Sequence, residues 1–165
     1  MKITLLHPSR GRAFKSFGNV KNWIDKSSHK SEIDVIISLD ESDNSIYRYK
    51  EIYDDRANEL KADFKIRKNN NTSVVDATNA AAKISEGDIL VYLSDDFDCP
   101  YNWDILISEH FNMDRPELLK VDDCLQPFHV KVLTIPIMNR KLYEKLGYFW
   151  HPEYKSMFVD EDLYH

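Results

Sequence analysis

The sequence predicts an α/β fold: a mostly parallel sheet with helices on both faces. Three observations carry this. Short, continuous apolar runs recur at residues 3–6, 34–40 and 88–93, with the length and β-branched content of strands covered on both sides. Segments with helical spacing separate them, and strand-helix alternation at these lengths implies right-handed crossovers between parallel strands. Two of the runs lead directly into acidic loops, and in sheets of this kind ligands bind beyond the carboxyl ends of the strands.

Taken in order, Ile3-Thr4-Leu5-Leu6 is the first strand, stopped by Pro8 and Gly11. Over residues 14–26, Phe14, Phe17, Val20, Trp23 and Ile24 fall at spacings of three and four, an amphipathic helix weakened slightly by Gly18. Residues 34–40, Asp-Val-Ile-Ile-Ser-Leu-Asp, form the second strand and open into the acidic loop 40–44. The tyrosine-rich stretch 46–61 has helical character, and 62–67 alternates as an exposed or edge strand would. After the turn Asn69-Asn70-Asn71, Thr72 or Ser73 caps a helix through Val74, Val75, Ala77, Ala81 and Ile84, which Gly87 is placed to end. Residues 88–93 are the clearest buried strand and run straight into Ser94-Asp95-Asp96-Phe97-Asp98-Cys99-Pro100. A helix after Tyr101, a polar link containing Pro116, an apolar strand over 130–138 and a short helix over 140–146 complete the pattern, without internal repeats.

Composition narrows the function classes. The chain has 165 residues, 22 Lys plus Arg against 28 Asp plus Glu, and a net charge of −6. That balance gives no long-range attraction for phosphodiester backbones or anionic lipid, so nucleic acid is not expected as a partner. The length suits a single domain over 1–165 that folds without disulfides or a structural metal. Cys99 and Cys124 form neither a metal cluster nor a disulfide framework, which points to a reducing compartment. The first apolar run is too brief for a signal peptide or a transmembrane segment, so a cytoplasmic location is expected.

The chemistry gathers at the strand ends. Asp95, Asp96 and Asp98 fall within four residues after the central strand. Their mutual repulsion and desolvation are tolerable when a cation offsets them. Oxygen-only ligands favour Mn2+ or Mg2+, which keep positions open for phosphate oxygens. A solvated acidic turn is the alternative. Pro8-Ser9-Arg10-Gly11-Arg12 follows the first strand beside the same ends, with two guanidiniums suited to a base or to phosphate oxygens; solvated arginines at a helix start are the alternative there. Neither a dinucleotide fingerprint nor a phosphate-loop Gly-Lys-Ser/Thr is present. A third acidic cluster, Asp160-Glu161-Asp162, stands near the end.

Together, Pro8-Ser9-Arg10, Ser38-Leu39-Asp40, the Thr78-Asn79-Ala80 helix and the run from Gly87 to Asp96 resemble the GT-A fold nucleotide-diphospho-sugar glycosyltransferases, family 2-like enzymes in particular. The resemblance covers most of residues 1–104. It implies a GT-A (Rossmann-like) fold and a metal-dependent, inverting, hexosyltransferase-like enzyme. Such an enzyme moves a sugar from a nucleotide-diphosphate sugar donor to a hydroxyl of a saccharide or lipid-linked acceptor. It assigns Asp96 to the metal with Asp98 as an extra candidate, Asp95 to ribose or metal, Asp40 to the base, and Pro8, Ser9, Arg10 and Arg12 to the nucleotide. Residues 139–149 are similar to the segment that precedes an acceptor-site motif, here Val159-Asp160-Glu161-Asp162. Asp160, then Glu161 or Asp162, would take the acceptor's proton, and His165 would be a further metal ligand. His151, with Tyr148, Phe149 and Trp150, lines an acceptor pocket or belongs to the core. Asn79 reads as a polar residue on a solvated helix face. The chain stops soon after the acceptor motif, so a minimal or truncated domain is expected. A non-catalytic nucleotide-sugar or cation-binding module is the alternative. A sugar-phosphate nucleotidyltransferase ranks lowest, because its Gly-rich first loop is missing.

Overall fold

The computed structural model describes residues 1–124, 127, 130–157 and 159–163. In chain order the elements are β1 (Ile3–Ser9), α1 (Ala13–Asp25), β2 (Ile33–Asp40), α2 (Ile46–Asp55), α3 (Ala57–Leu60), β3 (Asp63–Asn69) and α4 (Val74–Ile84). They continue with β4 (Ile89–Tyr92), α5 (Trp103–His110), β5 (Leu118–Leu119), β6 (Ile137–Asn139), α6 (Arg140–Leu146) and α7 (Val159–Asp162).

The strands form one six-stranded sheet in the order β3-β2-β1-β4-β6-β5. β1 runs parallel to both β2 and β4, with Ile3 opposite Ile33 and Ile89, and β3 lies parallel outside β2. β6 is antiparallel to β4, and β5 is antiparallel to β6. The α/β class and mostly parallel sheet expected from the sequence are thus observed. Every residue of β2 is buried, as a strand covered on both faces requires. Leu5, Val35, Ile37 and Val91 pack against Phe17, Val20 and Ile24 of α1, Tyr53 of α2 and Trp103 of α5. Leu6, Ile36, Leu90 and Met138 face the other layer, Val75, Ala81 and Ala82 of α4 with Phe149 and Trp150. No helix among the described residues is long and apolar enough to cross a membrane.

Four elements differ from their sequence reading. β1 continues through Pro8 to Ser9. β4 pairs with it only as far as Leu6, opposite Tyr92, so the proline's missing N–H faces no strand on that side. The 46–61 helix is broken at Arg56 into α2 and α3, and Lys61 ends it with φ 54°. Gly87 does not end α4, which is capped at Ser85 in an extended conformation. Instead it lies against Thr4, where a Cβ would sit 2.5 Å from Thr4 Oγ1 and 2.7 Å from its backbone nitrogen. The apolar strand expected over 130–138 is confined to Ile137–Asn139, because Pro136 immediately before it has no N–H to give a ladder.

Candidate functional site

The carboxyl ends of β1, β2 and β4 converge. The path out of β4 is set by two bonds: Leu93 N–H donates to the Leu6 carbonyl at 2.9 Å, and the wholly buried His7 donates from Nδ1 to the Leu93 carbonyl at 2.8 Å. Burial lowers the His7 pKa, so the ring is neutral, and its Nε2 accepts from the Ser16 hydroxyl at 2.9 Å. Ser16 in turn accepts from the Tyr53 hydroxyl at 2.9 Å. This chain fixes the backbone from which the acidic loop departs.

Asp95 follows with its side chain only 2 % exposed, and neither of its oxygens accepts a hydrogen bond. Arg12 Nη1 lies 3.0 Å and Lys15 Nζ 3.8 Å from Asp95 Oδ1. Asp96 is more exposed. Its Oδ1 bonds Lys15 Nζ, which holds the carboxyl below the usual carboxylate range, and Arg12 Nη1 stands 4.0 Å from its Oδ2. Burial and the charges of Asp95 and Asp96 push the neighbouring Tyr92 phenol up to about 12. Asp98 turns the other way. It accepts from Lys26 Nζ at 2.6 Å and Asn22 Nδ2 at 2.5 Å, and these bonds lower its pKa. The structure therefore brings Asp95 and Asp96 together with Arg12 and sets Asp98 against the end of α1. Among the described residues, no three His, Cys, Asp or Glu side chains gather into a metal cage. Asp95 and Asp96 nevertheless fit a hard divalent ion. A buried carboxylate that accepts no hydrogen bond depends on cations beside it, here Arg12 and Lys15, and oxygen-only ligands on so few residues suit Mg2+ or Mn2+ with open positions.

Beside this pair, Pro8, Ser9, Arg10, Arg12 and Asp40, the residues expected to hold a nucleotide, line one cleft of about 220 Å³. Ser38, Asn71, Thr72, Ser73, Val74 and Ala77 complete it; sequence reasoning missed them as site residues. Asn71 is anchored by donation from Nδ2 to the Leu39 carbonyl at 3.0 Å. Asp40 Oδ1 accepts from Ser42 N–H at 2.8 Å, which with Arg10 lowers its pKa, and Arg10 Nη1 reaches Asp40 Oδ2 at 2.7 Å. The loop carrying these arginines turns at Gly11, with φ 71°, and Gly11 N–H donates to Asp43 at 2.7 Å.

The third cluster lies in the other layer. Val159 packs α7 against the core that α4 shares with Trp150, whereas the acidic loop leads into α5 on the opposite face. Leu133 N–H donates to the Asp160 carbonyl at 3.2 Å, the Tyr154 hydroxyl donates to Asp162 at 3.1 Å, and Glu161 is exposed. His165 lies outside the described residues. Phe149 and Trp150 are core, while His151 stacks edge-on with Tyr148 and Tyr154 at centroid distances of 5.1 and 5.8 Å. Asn79 is not a solvated residue. Its Oδ1 accepts from the Phe149 and Trp150 N–H groups, each at 2.9 Å, and its Nδ2 donates to the Trp150 carbonyl at 2.7 Å.

This arrangement is the GT-A fold, and its structural neighbours include GT-A-type nucleotide-sugar glycosyltransferases and a cytidylyltransferase. No protein-family model and no curated protein matches the sequence. Among solved structures, S. aureus TarS 1–349 in complex with UDP-GlcNAc is 18% identical over 98% of this chain and 51% of its own, with a TM-score of 0.69. The mannosyltransferase PcManGT from Pyrobaculum calidifontis, in complex with GDP-Man and Mn2+, is 14% identical over 99% of this chain and 50% of its own, with a TM-score of 0.74. A cytidylyltransferase from Leptospira borgpetersenii is 19% identical over 89% of this chain and 64% of its own, with a TM-score of 0.54. The chain spans about half the length of the first two structures, and at these identities the likeness establishes the fold.

Proposed function

We propose that the chain binds a nucleotide-diphosphate sugar with a divalent cation, Mn2+ or Mg2+, and transfers the sugar to the hydroxyl of a saccharide or lipid-linked acceptor. One observation carries the reading: the buried carboxylate of Asp95, which accepts no hydrogen bond, stands with Asp96 around the guanidinium of Arg12, and Arg12 also lines the cleft with Pro8, Ser9, Arg10 and Asp40. Asp40 receives a base N–H, Asp95 a ribose hydroxyl or the ion, and Asp96 the ion. Arg10 and Arg12 hold phosphate oxygens. When bound, the cation neutralises charge on the departing diphosphate. Asp160, with Glu161 or Asp162 in reserve, takes the acceptor proton as its oxygen attacks the anomeric carbon and the bond to the diphosphate breaks, which inverts that centre. The nucleotide sugars and Mn2+ held by TarS and PcManGT support this reading. Two free cysteines suit a reducing cytoplasm.

The test incubates the protein with Mn2+ and a panel of UDP-, GDP-, CDP- and dTDP-sugars, following melting temperature and nucleoside diphosphate release with saccharide acceptors supplied. A matching donor stabilises the fold only when Mn2+ is present and is turned over. Stabilisation without release identifies a non-catalytic donor-binding module, and no Mn2+-dependent stabilisation by any donor overturns the proposal.

A further inference from the structure

Lys15 lies three residues beyond Arg12 and shares its acidic partners. Its Nζ bonds Asp96 Oδ1 and stands 3.8 Å from Asp95 Oδ1, while Arg12 Nη1 stands 3.0 Å from the same Asp95 oxygen. Two carboxylates thus face two side-chain cations, and the cluster is formally neutral. Asp95 adds an independent observation. Its carboxylate is buried yet accepts no hydrogen bond, so its charge is balanced by the cations beside it, Arg12 and Lys15, rather than by hydrogen-bond donors.

This neutrality has a chemical consequence. A bare divalent ion arriving with both cations in place leaves two surplus positive charges within a few ångströms of one another, which is unfavourable. A diphosphate diester, with two negative charges, cancels that surplus. We propose that Lys15 is the resident cation of the acidic site. It occupies Asp96 in the donor-free protein, disfavours bare metal, and passes to the diphosphate when metal and donor bind together. The inference rests on the donor-site reading of Asp95 and Asp96. Lys15 suits the task because its side chain is half exposed, on a flexible stem that lets a compact ammonium move between partners.

The experiment titrates Mn2+ alone into the full chain and into Lys15→Met, following free Mn2+ by electron paramagnetic resonance. It then measures binding of inorganic pyrophosphate at fixed, saturating free Mn2+. Removing the ammonium is expected to tighten Mn2+ binding about tenfold and to weaken pyrophosphate binding by about the same factor, while Lys15→Arg keeps the wild-type ordering of both. Asp96→Asn separates this inference from the reading beneath it. If that variant loses Mn2+ but Lys15→Met binds Mn2+ no more tightly than wild type, the resident-cation role is overturned and the donor site stands. If Asp96→Asn binds Mn2+ as wild type does, the site assignment fails and the role of Lys15 falls with it.

Discussion

Two acidic clusters of similar composition behave differently in this molecule. Asp95 and Asp96 leave a buried parallel strand whose end is fixed by His7 and Leu6, and they meet Arg12 and Lys15. Asp160, Glu161 and Asp162 ride on a four-residue helix held by one buried residue, Val159. The difference teaches that backbone support, more than the number of carboxylates, decides what a cluster does. The first cluster is held in place by the sheet and paired with two side-chain cations. The second sits on a short helix of the other layer, tied to it by Val159 and by the Leu133 N–H bond to the Asp160 carbonyl.

The sharpest way to break this division is Asp160→Asn. If α7 supplies the base, turnover falls by about 10² to 10⁴ while Mn2+-dependent donor stabilisation stays at the wild-type level; a parallel loss of donor binding would merge the two clusters into one site. Asp96→Asn is the converse, at nearly constant volume. Donor affinity in Mn2+ is expected to drop about a hundredfold, measured by calorimetry, with the melting temperature of the free protein preserved. Asn79→Ala tests the support beneath α7. It strands the N–H groups of Phe149 and Trp150, so a loss of about 2–3 kcal/mol is expected, seen as a lower urea midpoint at unchanged slope. The smallest effect belongs to Asp162→Asn. Its hydrogen bond and charge raise the Tyr154 pKa, so ultraviolet titration should show the phenol returning toward its ordinary value while donor binding is untouched.

The parallel half was legible because its strands are runs such as Val35-Ile36-Ile37, for which burial on two faces leaves one solution. The spacing in α1 was equally clear, because Phe17, Val20 and Ile24 are its buried face. Gly87 misled because a glycine after a helix signals a cap, whereas here the residue is small to admit Thr4 from another strand, a contact 83 residues away in sequence. Asn71 and Thr72 were invisible as cleft residues because a turn cluster looks the same whether or not it borders a ligand. Lys15 carried a faint signal: its spacing of three from Arg12 places both on one face of the first turn. Asn79 was read as surface because nothing in its own helix reveals that Phe149 and Trp150 return to it.

His7 gives the fold a built-in acid lability. The folded ring is kept unprotonated by burial, whereas an unfolded histidine takes up a proton near 6.5. Below that value the denatured chain binds a proton that the native one refuses, so stability is complete above it and drains away as the solution acidifies, by at most about 1.4 kcal/mol per pH unit. The imidazole that aims the acidic loop therefore makes the whole fold less stable on mild acidification, and calorimetry across that range should follow the decline.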